Sequence, residues 1–288
     1  MSILVHKVGI NKTLGQKSDY LEGGSSLPRT DSTGWRDSLV GEWEAGNGFS
    51  GSGDIWANSI AGQNDLRAYN SMGANSSSRP NHLIFDGTND YIWNTSTGYG
   101  GNPFTVNLNA DFTIGCWARY TQGSGSSFLF CVQTGTSSGT GFLYSLLQSA
   151  QFTVTDGNQQ ANTSGAASNF LVSSNTWHYC SISHDRSEGK VFLYVDGKYG
   201  ASFSPSYSAS EGATSGGNHW NGAFNLGFGH HLRGNSSNIA DSSVECAFLY
   251  VWDRYWGASQ HRHMFLGQYG SGGINTSSPE FGHPRTDT

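Results

Sequence analysis

Glu42 and Glu44 bracket Trp43 in the run Gly-Glu-Trp-Glu-Ala-Gly. On an extended strand alternate residues share a face, so the two carboxylates could stand side by side. Such a pair is what glycoside hydrolysis needs, one group as acid and the other as nucleophile or base. Glutamate is scarce elsewhere, and the expectation is two solvated acids flanking a packed tryptophan in a loop. The four cysteines, Cys116, Cys131, Cys180 and Cys246, form no C-x-x-C pair and no zinc-type spacing. None has neighbours that would lower a thiol pKa. Three sit inside apolar runs, so free thiols packed as small core hydrophobes are expected. The ten histidines include His230-His231 and His261-Arg-His263, neither with the i, i+4 spacing of a helical zinc pair. There is no Gly-x-Ser-x-Gly nucleophile elbow. The expectation is a protein that is not an enzyme.

A second kind of chemistry needs no titrating group. Carbohydrates are held by aromatic rings that stack on the sugar, with Asn, Asp or Gly donors on nearby loops. The segment 207–220 offers Tyr207, Asn218, His219 and Trp220 among Ser and Gly, and Trp93 with Tyr99 marks a second such stretch. The same aromatics could instead pin long loops to the body or pack on a neighbouring subunit.

The elements that must position these residues are strands. Leu83-Ile-Phe85 closes on the turn dipeptide Asp86-Gly87. Phe112–Arg119 alternates, with Ile114, Cys116 and Ala118 on one face. Phe128–Val132 and Phe142–Leu147 follow between Gly/Ser loops. Trp177–His184 places Cys180 and Ile182 together, and Val191–Val195 ends in Asp196-Gly197, a hairpin signal. Cys246–Trp252, like 191–195, is apolar on both faces. A strand with one wet face should alternate, so the second face must be covered by loops, by the N-terminal region or by another subunit. One short helix is expected, from Gly257 to Leu266.

The composition agrees with an all-β chain. Charged residues are 12%, against about 25% in an ordinary domain. Gly (40 residues), Ser, Asn and Thr fill the gap, and they are turn formers. Aromatics at 13% supply a core and exclude disorder. The net charge of −6 and pI near 5.9 argue against nucleic-acid partners. No stretch approaches the ~20 apolar residues of a membrane span, and Met1–Lys7 lacks a signal-peptide core. Residues 1–40, with Lys7, Lys12 and Lys17 and then Gly-Gly-Ser-Ser-Leu-Pro28, read as an extended arm. It is either a flexible tail or an arm that orders on a neighbouring subunit. Residues 41–269 form the expected domain, its signals concentrated in 82–266, and 270–288 a flexible tail.

Several of these runs resemble, in order, the laminin-G-like jelly rolls of the concanavalin A-like lectin/glucanase family. Phe85-Asp-Gly-Thr-Asn-Asp-Tyr91 is similar to the family's opening motif, and Asp111–Trp117 to the strand after it. Trp177-His178, Val191–Gly197, Leu226-Gly227 and Tyr250–Arg254 with Trp256, Ser259 and Gln260 resemble later landmarks. The resemblance implies a two-sheet antiparallel β-sandwich, a concanavalin A-like jelly roll with an N-terminal arm. It also implies calcium at the sandwich rim, for which Asp86, Asn89 and Asp90 are the candidates. The family's paired catalytic carboxylates, Glu-x-Asp-x-x-Glu, have no match. Since the fold hosts many functions, two expectations follow. The first rests on a further resemblance to tailed-bacteriophage structural proteins: a virion subunit, either capsid decoration or cement or a tail component, made in the host cytoplasm. Its partners would be other virion proteins and further copies of itself. The alternative is a carbohydrate-binding module or adhesin recognising cell-surface glycans.

Overall fold

The computed structural model describes residues 38–45, 55–69, 73–75, 81–86, 90–93, 104–120, 127–133, 141–146, 151–156, 165–205, 223–228 and 244–269. In chain order the strands are β1 (Leu39–Glu44), β2 (Ile55–Trp56), β3 (Leu66–Tyr69), β4 (Gly73–Asn75), β5 (His82–Phe85) and β6 (Tyr91–Trp93). Then come β7 (Thr105–Asn107), β8 (Phe112–Tyr120), β9 (Ser127–Gln133), β10 (Gly141–Leu146), β11 (Gln151–Asp156) and β12 (Gly165–Leu171). The last are β13 (His178–Asp185), β14 (Lys190–Val195), β15 (Lys198–Phe203), β16 (Ala223–Phe228) and β17 (Val244–Trp252), followed by helix α1 (Ala258–Tyr269).

The strands build two antiparallel sheets. Sheet 1 runs β15-β14-β13-β8-β17-β5-β4, with β1 also paired to β17; sheet 2 runs β12-β11-β10-β9-β16-β6-β3-β2, with β7 also paired to β16. Pleat alternation decides what lies between them. Phe112, Ile114, Cys116 and Ala118 of β8 point inward, as do Cys180 and Ile182 of β13 and Val191, Leu193 and Val195 of β14. Trp56, Leu66, Ala68, Ile92, Leu226 and Phe228 face them from sheet 2. This is the expected all-β sandwich.

The outward face of sheet 1 is also apolar, and the chain covers it itself. Trp117, Tyr179, Tyr250 and Trp252 form a second cluster with Trp256, Met264 and Phe265. A bulge between Cys246 and Phe248 in the β17–β8 ladder turns both Ala247 and Phe248 to this side. Each such aromatic gains roughly 1.5–3 kcal/mol from burial, so a face this rich in rings favours a lid. Helix α1 is that lid. The side chain of Gln260 caps its start by accepting from Gly257 N (3.1 Å). Gly115 leaves room beneath: a Cβ there would lie 2.5 Å from Tyr179 Oη.

The β14–β15 hairpin fits the same surface. Asp196 (φ 51°) and Gly197 (φ 70°) both take the left-handed conformation that a two-residue hairpin turn demands. A Cβ on Gly197 would stand 2.7 Å from Arg262 Cα, so the turn abuts α1 directly.

Candidate functional site

The outward face of sheet 2 carries a half-buried pair of aromatic rings beside a cation. On β3, Leu66 and Ala68 enter the core, which leaves Arg67 and Tyr69 facing out. On β6, Ile92 enters the core, and Tyr91 faces out directly opposite Tyr69. The two phenol rings stack at 4.6 Å with 8° between their planes, and the Arg67 guanidinium lies 5.2 Å from the Tyr69 centroid. Burial raises the Tyr91 pKa, reinforced by Tyr69 and opposed by Arg67. Ile55, which pairs with Arg67 on β2, is 49% exposed.

Topology adds to this face. Trp93 lies on β6, two residues beyond Tyr91, paired with Arg67 on one side and Gly227 of β16 on the other. Because β6 and β16 are antiparallel, the chain leaving β6 after Trp93 departs toward the end at which the chain enters β16 at Ala223. β7 resumes the same ladder there, with Asn107 opposite Ala223. β6 therefore ends, and β16 and its partner β7 meet, toward the same end of sheet 2. Tyr207, Asn218, His219 and Trp220 lie outside the described residues, as do Asn89, Lys7, Lys12 and Lys17.

The calcium candidates fare differently from one another. Asp90 is buried, and its Oδ2 accepts a hydrogen bond from Asp86 N (3.1 Å). Burial raises its pKa, opposed by that bond and reinforced by Asp86. Asp86 is exposed. Among the described residues no group of three or more His, Cys, Asp or Glu gathers to hold a metal.

Glu42 and Glu44 are neither in a loop nor both solvated. They lie on β1, whose register places Glu42 opposite Tyr250, and Glu42 is buried while Glu44 is half-buried. The backbone around them is tied to the next loop. Asn58 Oδ1 accepts from Glu42 N and Ile60 N, and Trp56 Nε1 donates to Glu44 O (2.9 Å). Trp43 is in the core, edge-on to Phe104.

His178 and Asp196 look like a catalytic pair, with Nδ1 2.8 Å from Oδ2. The other ring nitrogen, Nε2, accepts from Ser173 N (3.1 Å), so the proton sits on Nδ1 and is given to Asp196. Asp196 Oδ1 also accepts from Tyr179 N (3.0 Å). With both nitrogens committed, the imidazole fastens the start of β13 to the β14–β15 turn and has no lone pair for a substrate. Cys116, Cys180 and Cys246 are free and fully buried, and desolvation holds all three thiols well above their ordinary pKa. On the central strands β8 and β17 of sheet 1, Arg119 grips Glu245 while lying over the Trp177 ring. No helix among the described residues is long and apolar enough to cross a membrane.

The family model described as the concanavalin A-like lectin/glucanases superfamily matches residues 86–234, just over half of the sequence. The chain belongs to this family. Similar solved structures include the Trypanosoma rangeli sialidase, with a TM-score of 0.55 and 16% identity over 81% of this chain and 33% of that one. The binding domain of Paraclostridial Mosquitocidal Protein 1 gives 0.53 and 13%, covering 80% of this chain and 52% of that one. The binding domain of botulinum neurotoxin DC in complex with SialylT gives 0.54 and 12%, covering 80% and 51%. These likenesses are of fold, and this chain spans a third to about half of those proteins' lengths. No curated protein matches.

Proposed function

We propose that the chain is a non-enzymatic recognition domain that binds glycans at the β6–β16 end of sheet 2. The observation that carries this is the outward stack of Tyr69 on Tyr91 with the Arg67 guanidinium beside it. These three face outward together, Trp93 lies on the same strand as Tyr91, and β16, which pairs with β6, follows Asn218, His219 and Trp220 in the sequence; Tyr207 is included on its chemistry alone. Aromatic rings beside amide and guanidinium donors are what a sugar, apolar on one side and hydroxylated on the other, requires. The binding domains of similar fold, one of them seen with SialylT, support the reading. The test is a broad glycan array with the full chain and with Trp220→Ala and Tyr91→Ala. Binding by the wild type that both variants lose, with unchanged melting temperature, supports the site. No binding by the wild type ends the reading.

A second reading, a virion structural subunit, is favoured by the sheet edges. Ile55 on β2 and Tyr199 on β15, each on the last strand of its sheet, are about half exposed. Exposed apolar side chains on terminal strands suit contacts with neighbouring subunits. The arm with Lys7, Lys12 and Lys17 would be the fastening. Light scattering on the full chain and on one lacking residues 1–37, which spares β1, tests it. Association that disappears with the arm supports an assembly role, and identical monomers argue against it. The two readings are compatible, since a virion surface protein can bind host glycans.

A further inference from the structure

Helix α1 carries an imidazole with both nitrogens engaged. His261 is fully buried against sheet 1. Its Nδ1 lies 2.9 Å from Ser181 Oγ and its Nε2 2.7 Å from Ser183 Oγ, both on β13. Ser183 Oγ lies 2.8 Å from Thr113 Oγ1 on β8, and Thr113 Oγ1 is 2.9 Å from the Arg254 carbonyl. The proton positions follow from the far end. A carbonyl can only accept, so Thr113 donates to Arg254 O, Ser183 donates to Thr113, and Ser183 Oγ accepts from His261 Nε2–H. Nδ1 is then bare and accepts from Ser181. The chain of hydroxyls runs in one direction and fixes Nε2–H as the tautomer of the neutral His261 ring, with Nδ1 accepting from Ser181.

We propose that His261 is an acid-sensitive latch: a proton on Nδ1 places a charge with no carboxylate partner in the fully buried layer between helix and sheet, which releases α1 from sheet 1 and uncovers the aromatic face beneath. The surroundings offer the cation hydroxyls, rings and the Trp256 backbone, but no carboxylate. From β13 it meets Ser181, Ser183 and Tyr179; from β8, Thr113 through Ser183; from β14, Tyr194, stacked at 3.9 Å; from the connection after β17, Trp256 and the Arg254 carbonyl. On the helix itself the neighbours are exposed Arg262 and buried His263. The nearby turn carboxylate, Asp196, is committed to His178 and Tyr179 N. Burial accordingly lowers the His261 pKa from 6.5 to about 3, partly offset by the Trp256 backbone. A folded-state pKa below the unfolded one gives stabilisation that is complete above pH 6.5 and is lost as pH falls toward 3. The helix-open state gains about tenfold per pH unit across that window.

The window differs from that of whole-sandwich unfolding in where it is felt. His184 is the other buried histidine whose pKa burial lowers, but it faces Phe112 and bonds the Ala110 carbonyl on the core side. Its protonation strains β13 and β8 rather than the helix. The experiment is amide hydrogen exchange of the full chain from pH 7 to 4, each rate corrected for intrinsic exchange, with His261→Gln beside it. Glutamine keeps one donor for Ser183 and one acceptor for Ser181 and does not titrate. Protection of α1 should fall about tenfold per unit below pH 6 in the wild type, ahead of β8 and β13, and stay level in His261→Gln. Constant protection of α1 in the wild type overturns the latch, as does a parallel fall in the variant or a fall shared equally by β8 and β13. If His261→Gln does not fold, nitrogen NMR of the wild-type ring decides. A neutral Nε2–H ring at pH 5 wherever α1 is protected supports the latch, and a charged ring under a protected helix overturns it.

Discussion

Replacing Asp196 with alanine isolates what fastens the β14–β15 turn to β13. The carboxylate accepts from His178 Nδ1 and from Tyr179 N, and Tyr179 is fully buried. A buried N–H stranded without a partner costs about 1–3 kcal/mol. The His178 proton, at a part-buried site, loses a bond worth about 1 kcal/mol. Alanine at φ 51° adds about 1 kcal/mol that aspartate partly escapes by its local hydrogen bonding. The sum is about 4 kcal/mol, which for a domain of 150–250 residues lowers Tm by roughly 8–16 °C. The Asp196→Asn variant should lose about half as much. Asparagine tolerates the left-handed backbone, but its single amide oxygen can serve only one of two donors, since His178 Nε2 is held by Ser173 N. Urea denaturation with an unchanged m-value and calorimetry measure both variants. A loss under about 1 kcal/mol for alanine, or equal losses for the two, would refute the claim that this carboxylate is a double acceptor locking the turn.

Two further outcomes follow from burial. Burial raises the Asp90 pKa, so its charge penalises the fold increasingly as pH rises through the carboxylate range. Asp90→Asn should then be at least as stable as wild type at pH 7 by calorimetry. If Asp86, Asn89 and Asp90 hold calcium, millimolar calcium raises the wild-type Tm and leaves the variant's unchanged. Cys116, Cys180 and Cys246, desolvated and with raised pKa values, should resist a water-soluble disulfide reagent in the native protein and react only in denaturant; native-state labelling of any of the three contradicts their placement.

What could be read from sequence was the part governed by local rules. Phe112–Ala118, Cys180–Ile182 and Val191–Val195 alternate because one face packs between sheets, and Asp196-Gly197 is required by turn geometry. What escaped depends on partners far away in the chain. Glu42 and Glu44 sit between glycines and resemble a loop, yet β1 pairs with β17, some two hundred residues later. Ser181 and Ser183 are ordinary on the outward face of a strand until a helix is known to lie over them. His261 carries no signal of its own, because the hydroxyls that engage it come from β13. Conversely, Trp177-His178 and Val191–Gly197 were legible as separate landmarks, while the hydrogen bond joining them, through the β13–β14 register, was not.

The doubly apolar strand β17 shows why this matters for function. Read as sequence, Cys246–Trp252 admits a covering subunit as readily as a covering loop. With α1, Trp256 and Leu39 packed over Trp117, Tyr250 and Trp252, that face is already closed by the chain itself. The surfaces left for a neighbouring subunit are therefore the sheet edges, where Ile55 and Tyr199 are exposed. The same lid gives the outward faces of the two sheets different prospects. That of sheet 1 is open to a partner only if α1 leaves. On sheet 2, Tyr69, Tyr91 and Arg67 already stand outward and in part open to solvent, which suits that face to the proposed glycan contact.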